Sequence, residues 1–276
     1  MKILKAAGGV VSVLAGAIGL GWLGTQIEGK GFDVPAGAAQ DLGTAALQSS
    51  LPEPVARYAK SIAPDGLPVV KTALVMGKAK LTFNGLTFPA RFKFYHDAGN
   101  AYYHHIQLLW FGLPVLTVHE RYRDGTAEMA LPGGEIANNP QVNAAALMGL
   151  WAEAVWFPTT LLGDPRAHWT AIDEHNAALT VEGMAEEETF TVRFDPVSGL
   201  MRDLTSLRYQ QSGDQHRTLW FNEVLDWSTF NGVSVPSVVQ IRWGNDAPWA
   251  KWQVEQVLYN VDVSARLSAF GDVYRD

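Results

Sequence analysis

The chain contains no cysteine. Disulfides, zinc–thiolate sites, a thiol nucleophile and a lipid-bearing terminal cysteine are thereby excluded. Charge is also sparse. Charged residues make up 18% of the chain against 47% hydrophobic, and 28 acidic against 21 basic side chains leave a net charge of −7. No stripe of clustered Lys and Arg interleaved with aromatics occurs. Phosphate neutralisation needs such a stripe, so no nucleic-acid partner is expected. Recognisable catalytic spacing is missing as well: there is no G-x-S-x-G elbow, no G-x-x-x-x-G-K-[ST] loop and no H-E-x-x-H. The reading is of a non-enzyme without cofactor or metal.

What the chain does have is apolar bulk, including ten Trp among 276 residues. Lys2 and Lys5 precede an uncharged run, Ala6 to Ile27. At about 1.5 Å per residue that run spans roughly 30 Å as a helix, the thickness of a bilayer core. The lysines predict a cytoplasmic start and an exported remainder. Residues 1–27 are therefore expected as a transmembrane anchor or a signal peptide, and residues 6–27 as the membrane contact. Localisation follows: single-pass in the bacterial inner membrane, with the C-terminal domain periplasmic. Residues 28–50, rich in Ala and Gly, read as a linker, and residues 51–276 as one β-rich domain.

Leu51, Val55, Tyr58 and Ile62 recur at helical spacing between prolines, which predicts a short amphipathic helix. Strands dominate from Leu67 onward. Phe88, Ala90, Phe92 and Phe94 alternate with Arg91, Lys93 and Tyr95, and Asp124-Gly125 and Asn231-Gly232 mark tight hairpins. The links are short, so about eleven strands should form an antiparallel meander. A sheet that wide is expected to curl or close. One stretch breaks the pattern. Asn139-Pro140 reads as a cap with proline at the first helical position. Ala144–Phe157 then carries Glu153 as its only charge. A helix apolar all round needs burial or lipid. At this length, burial inside the curled sheet is the economical solution.

That helix and several other segments carry a resemblance. Leu51-Pro52-Glu53-Pro54-Val55-Ala56-Arg57-Tyr58, Arg121–Gly125, Glu153-Ala154-Val155-Trp156-Phe157-Pro158-Thr159-Thr160-Leu161-Leu162, Trp169–Asp173 and Asn231–Pro236 together resemble an uncharacterised family of membrane-anchored bacterial proteins marked by Glu-x-x-Trp-Phe-Pro. The resemblance implies a fold similar to the Lol-type periplasmic lipoprotein carriers. Those are half-open antiparallel barrels over apolar helices that carry acyl chains. It implies no catalytic residues.

The fold class expected is thus mainly β: a curled antiparallel sheet or half-barrel wrapping a buried apolar helix, plus the N-terminal transmembrane helix. Its function is read as non-enzymatic binding of a lipid or other apolar ligand. The alternative is an envelope scaffold or protein-interaction domain with a fully packed interior. Candidate ligand contacts are Trp151, Glu153, Trp156, Phe157, Leu161, Leu162 and Arg121. A carboxylate in an apolar helix is costly unless paired or protonated, so Glu153 either meets a ligand headgroup or serves as a proton-linked switch, or else pairs internally with Arg121, Arg57 or a backbone group. Arg91, Arg121 and Arg193 are candidates for an anionic headgroup. His104 and His105 are adjacent on a strand and face opposite ways. His96 and His119 lie on nearby strands, and a His104–His119 partnership across the sheet would need further ligands to hold a metal. Trp243, Trp249 and Trp252 flank the Asn245–Pro248 turn and suit either a packed strand end or a membrane interface.

Overall fold

The computed structural model describes residues 21–35, 42–45, 47, 50–131 and 134–268. Among these, a small two-stranded sheet pairs β1 (Thr44–Ala45) with β2 (Leu67–Pro68). The remaining strands form one sheet. Its first half is β3 (Thr72–Phe83), β4 (Leu86–Asp97), β5 (Ala101–Trp110), β6 (Leu113–Arg123), β7 (Thr126–Leu131) and β8 (Gly134–Ala137). Its second half is β9 (Ala167–Ala171), β10 (Asn176–Val181), β11 (Phe190–Phe194), β12 (Met201–Arg208), β13 (Thr218–Phe230), β14 (Val233–Trp243) and β15 (Ala250–Tyr259). The thirteen strands run β8-β7-β6-β5-β4-β3-β15-β14-β13-β12-β11-β10-β9, with every pair antiparallel. The first and last strands meet in the middle, and the sheet does not close. Two strands beyond the expected eleven belong to this sheet. One is the edge strand β8, whose four residues are too few to show alternation. Short edges such as β8 and β9 offer little template for unwanted pairing.

The segment between the two edges is helical. It consists of α2 (Pro140–Ala152), a 3-10 turn (Glu153–Trp156) and α3 (Pro158–Gly163); α1 is Glu53–Ile62 and α4 is Ser264–Ser268. The Asn139 side chain accepts from Val142 N at 3.1 Å and Pro140 opens α2, as the sequence predicts. The expected helix to Phe157 is α-helical to Ala152 and 3-10 from Glu153 to Trp156, and a further short helix, α3, follows it. Pro158 lacks an N–H and disfavours helical geometry at the residue before it, and Phe157 sits at φ −137°, ψ 78°.

The helical segment touches strands far apart in the sheet. Trp156 Nε1 donates to Pro236 O of β14 at 3.0 Å, and Tyr259 OH of β15 donates to Trp156 O at 2.9 Å. Asn143 Oδ1 accepts from Ala127 N of β7 at 2.8 Å, and Arg208 Nε of β12 donates to Ala145 O at 3.1 Å. Eight strand intervals separate β7 from β12, about 38 Å in a flat sheet at the usual strand spacing. One helix about 10–12 Å across reaches both only because the sheet bows around it. The main core lies on this concave side, where Trp151, Trp156, Phe157, Leu161 and Leu162 are all buried. α1 closes the β9–β10 end and buries Val55, Tyr58 and Ile62 as its spacing predicts.

The expected anchor, residues 6–27, falls mostly outside the described residues; Gly21–Gln26 are helical. No helix among the described residues is long and apolar enough to cross a membrane. The stretch expected as a linker begins docked on the sheet. Arg91 Nη1 donates to Lys30 O at 3.1 Å, and the Arg91 guanidinium lies 4.4 Å from the Phe32 ring.

Candidate functional site

Between the helical segment and the sheet lies a cavity of about 150 Å³. An apolar cavity of roughly that size accommodates a benzene-sized guest. Its walls are mostly apolar and aromatic: Phe94, Ile106, Trp156, Val239, Ile241 and Trp252 among them. Gly149 of α2 faces it, and a Cβ built there would meet nothing closer than Tyr102 OH at 4.0 Å. A glycine in mid-helix costs about 0.5–1 kcal/mol relative to alanine. Here it leaves space open instead of permitting a close approach.

Polar groups gather at one side of this cavity because of strand register. The alternation that buries Ala90, Phe92 and Phe94 continues to His96, which is fully buried. Register then sets His96 opposite Tyr102 and Phe94 opposite His104, and sets His104 opposite Glu120 on β6. Glu153 ends α2 above them. His104 Nε2 lies 2.9 Å from Glu153 Oε2, and His104 Nδ1 lies 3.7 Å from Glu120 Oε2. Tyr102 OH donates to Glu120 Oε1. His96 Nε2 is 3.5 Å from Glu153 Oε2, yet neither of its ring nitrogens has a hydrogen-bond partner. Arg208 lines the same cavity, with its guanidinium 4.4 Å from the Trp220 ring.

The electrostatics follow from burial and charge together. Burial alone pulls the His104 imidazole down, but Glu153 and Glu120 outweigh it and hold its pKa at about 9. Burial pushes the Glu153 carboxyl up, against the opposing pull of His104. Burial also pushes Glu120 up, but His104 and Tyr102 bring it below the usual carboxylate range. His96 is held well below ordinary histidine by burial and by its neighbour His104. This group can pass a proton between His104 and Glu153, pair with a polar guest or hold a cation. Further round the wall, Trp220 Nε1, Asn222 Nδ2 and Trp249 Nε1 are buried without an acceptor. Buried donors are normally satisfied, and each exception asks for a partner.

The expected contacts divide. Trp156 and Glu153 line the cavity. Phe157, Leu161 and Leu162 are packed core that fixes the helix, and Trp151 lines a separate recess with Arg166, whose guanidinium lies 5.3 Å from its ring. Arg121 projects from the opposite face of β6, pairs with Glu128 at 2.7 Å and reaches Leu267 O at 3.2 Å. Alternation places it there, since its neighbour Glu120 faces inward. Arg57 pairs with Glu53 at 2.6 Å. The internal partner of Glu153 is therefore His104, not either arginine. Arg91 contacts Gln107 at 2.8 Å and Arg193 contacts Asp203 at 2.6 Å. The arginine at the cavity is Arg208, which the sequence reading did not single out. Its signal was alternation with Leu204 along β12. His104 and His105 do face opposite ways, but His119 pairs in register with His105. Trp243 and Trp252 are buried and Trp249 is half-buried, and Trp249 and Trp252 line the cavity.

An open antiparallel sheet bowed over an apolar helix, with a partly polar chamber between them, defines a half-barrel protein with an interior cavity. The family is shown by residues 42–253, which match the model of a family of unknown function (DUF6544). The chain belongs to that family. No curated protein matches it. Among solved structures it is similar to a DUF1329 family protein from Desulfovibrio piger, at TM-score 0.45 and 10% identity over 79% of this chain and 98% of that one. It is also similar to a putative outer membrane lipoprotein-sorting protein domain from Vibrio parahaemolyticus, at 0.42 and 7% over 78% and 92%. A LolA superfamily protein from Nitrosomonas europaea gives 0.45 and 5% over 78% and 94%. At these scores the likenesses carry no argument about the site.

Proposed function

We propose that this protein is a non-enzymatic binder of an apolar molecule whose polar end is rich in hydrogen-bond acceptors, a lipid or a lipid-linked compound. The observation that carries the reading is the chamber itself. A scaffold with a packed interior has no use for a cavity beside its central helix, nor for a helical glycine that keeps it open. Apolar walls give a guest chain about 0.8 kcal/mol per CH₂ removed from water. The unpaired donors of Trp220, Asn222 and Trp249, with the Arg208 guanidinium nearby, supply what ester, carboxylate or phosphate oxygens need.

Placement at the outer face of the bacterial inner membrane fits the same geometry. The turns after β3, β5 and β14 lie at one end of the sheet. Leu86, Trp110, Phe111 and Leu113 are exposed on the first two. Phe111 N donates to Gly24 O at 2.8 Å and Trp110 Nε1 to Gly21 O at 3.1 Å, which ties this end to the apolar N-terminal run. Trp220, Ile241, Trp249 and Trp252 bring one side of the cavity toward that end, while Tyr102 and Met201 line it toward the other. Extraction from a bilayer gains no hydrophobic free energy, so the polar contacts must supply the preference.

The test is native mass spectrometry of the full chain, purified in mild detergent, with identification of the released guest after solvent extraction. The expected result is a co-purifying lipid-class molecule with the wild type and none with Gly149→Leu, whose side chain fills the chamber. An empty wild type, or the same guest in both proteins, contradicts the reading.

A further inference from the structure

We propose that His96, His104 and Glu153 form a site for one divalent first-row transition ion, with zinc as the reference ion, at the polar side of the cavity. This goes beyond the binding of an apolar guest, since the three side chains would hold the ion with or without one.

His96 is fully buried, and both of its ring nitrogens lack a hydrogen-bond partner. Leaving a buried polar group unpaired costs about 1–3 kcal/mol, and a metal-ligating role is one ordinary reason for such a group. Its Nε2 is turned to Glu153 Oε2, 3.5 Å away, and the same oxygen lies 2.9 Å from His104 Nε2. One ligand atom from each residue falls within 4.8 Å of the others. Tetrahedral zinc with bonds of about 2.0–2.2 Å places neighbouring ligand atoms roughly 3.3–3.6 Å apart. Small side-chain adjustments therefore seat an ion among the three. Two imidazoles and a carboxylate suit zinc and its neighbours and do not suit magnesium or calcium.

The surroundings match a metal site beyond the ligands themselves. A metal-bound histidine usually gives its other nitrogen to a carboxylate. His104 Nδ1 faces Glu120 Oε2 at 3.7 Å, and Tyr102 donates to that carboxylate from the other side. Three protein ligands leave a fourth position. His104 and Glu153 line the cavity and His96 does not, so that position falls on the cavity side. Imidazole and carboxylate ligands bind an ion in their deprotonated forms, so binding releases protons. Arg208 is the opposing charge, and it is held aside by Ala145 O and the Trp220 face. The outer-face pair His105 and His119, with ring centroids 4.9 Å apart, has no such claim. Arg91, Lys93 and Arg266 lie close enough to repel a cation there.

The experiment uses the untagged full chain, stripped with chelator, loaded with zinc and desalted before elemental analysis. The expected result is one zinc per chain, lost in His96→Gln and in Glu153→Gln and kept in His119→Gln. Glu120→Gln should weaken zinc affinity about 10-fold, the effect of an outer partner. Cobalt in place of zinc should give the visible absorption of a four-coordinate ion. If a ligand variant does not fold, thermal denaturation of the wild type decides: zinc should raise its Tm. A wild type that retains no zinc and shows no shift overturns the proposal, as does equal retention in both folded ligand variants.

Discussion

His104 and His105 are neighbours in the chain and opposites in the fold. His104 faces inward between two carboxylates, which hold its pKa at about 9 against burial. His105 faces outward. Burial, then His119, Lys93, Arg266 and Arg91, push it down to about 4. The two faces of β4, β5 and β6 thus carry similar side chains in opposite fields. The inner face collects Glu120 and Glu153. The outer face collects cations, covered by Phe32 and α4. Strand alternation alone separates them, so one sheet supports a buried polar centre on one side and a docking face for Lys30, Phe32 and α4 on the other.

The largest expected break in this comparison is His104→Leu. It leaves Glu120 and Glu153 buried without their partner, and losing one member of a buried pair costs about 3–5 kcal/mol. His105→Leu on the outer face relieves a depressed histidine and should cost under about 1 kcal/mol. Urea denaturation of both variants measures the difference, and equal losses would refute the asymmetry. The second expectation concerns pH, in chelator-treated protein. His104 is raised in the fold, so its contribution is complete below the unfolded value near 6.5 and is lost as pH rises through about 9. His105 is depressed, so its contribution is present above about 6.5 and is lost as pH falls through about 4. Stability against pH should therefore decline on both sides of neutrality. His104→Leu should flatten the alkaline limb only, and His105→Leu the acid limb only. The smallest effect is Gly149→Ala, which should stabilise by about 0.5–1 kcal/mol because helix propensity is gained and the new methyl finds space. A destabilised Gly149→Ala would mean the chamber is not open at that point.

The sequence made the outline legible and hid the centre. The run Phe88, Ala90, Phe92, Phe94 marks the inner face of β4, and Asn139-Pro140 marks the start of the nested helix. One more step of the same alternation would have brought His96 inside. The error over His104 has a definite cause. The Phe111-Gly112 turn pairs Trp110 with Leu113 and Leu109 with Pro114, but Leu108 then pairs with Leu116. A bulge between Leu108 and Leu109 shifts the register by one. Without it His104 would lie opposite His119, as the sequence suggested; with it His104 meets Glu120. A one-residue slip exchanges every side chain between faces, and nothing in the local composition announces this bulge. Glu153 could be seen as an expensive carboxylate, but its partner lies 49 residues away and only the register reveals it.

The central claim, that the space between helix and sheet receives an apolar guest, is tested most directly by tryptophan fluorescence during titration with a brominated fatty acid. Trp156, Trp220, Trp249 and Trp252 line that space, so quenching should saturate near one equivalent in the wild type and vanish in Gly149→Leu. Quenching that does not saturate, or that is unchanged by the filled chamber, would contradict it.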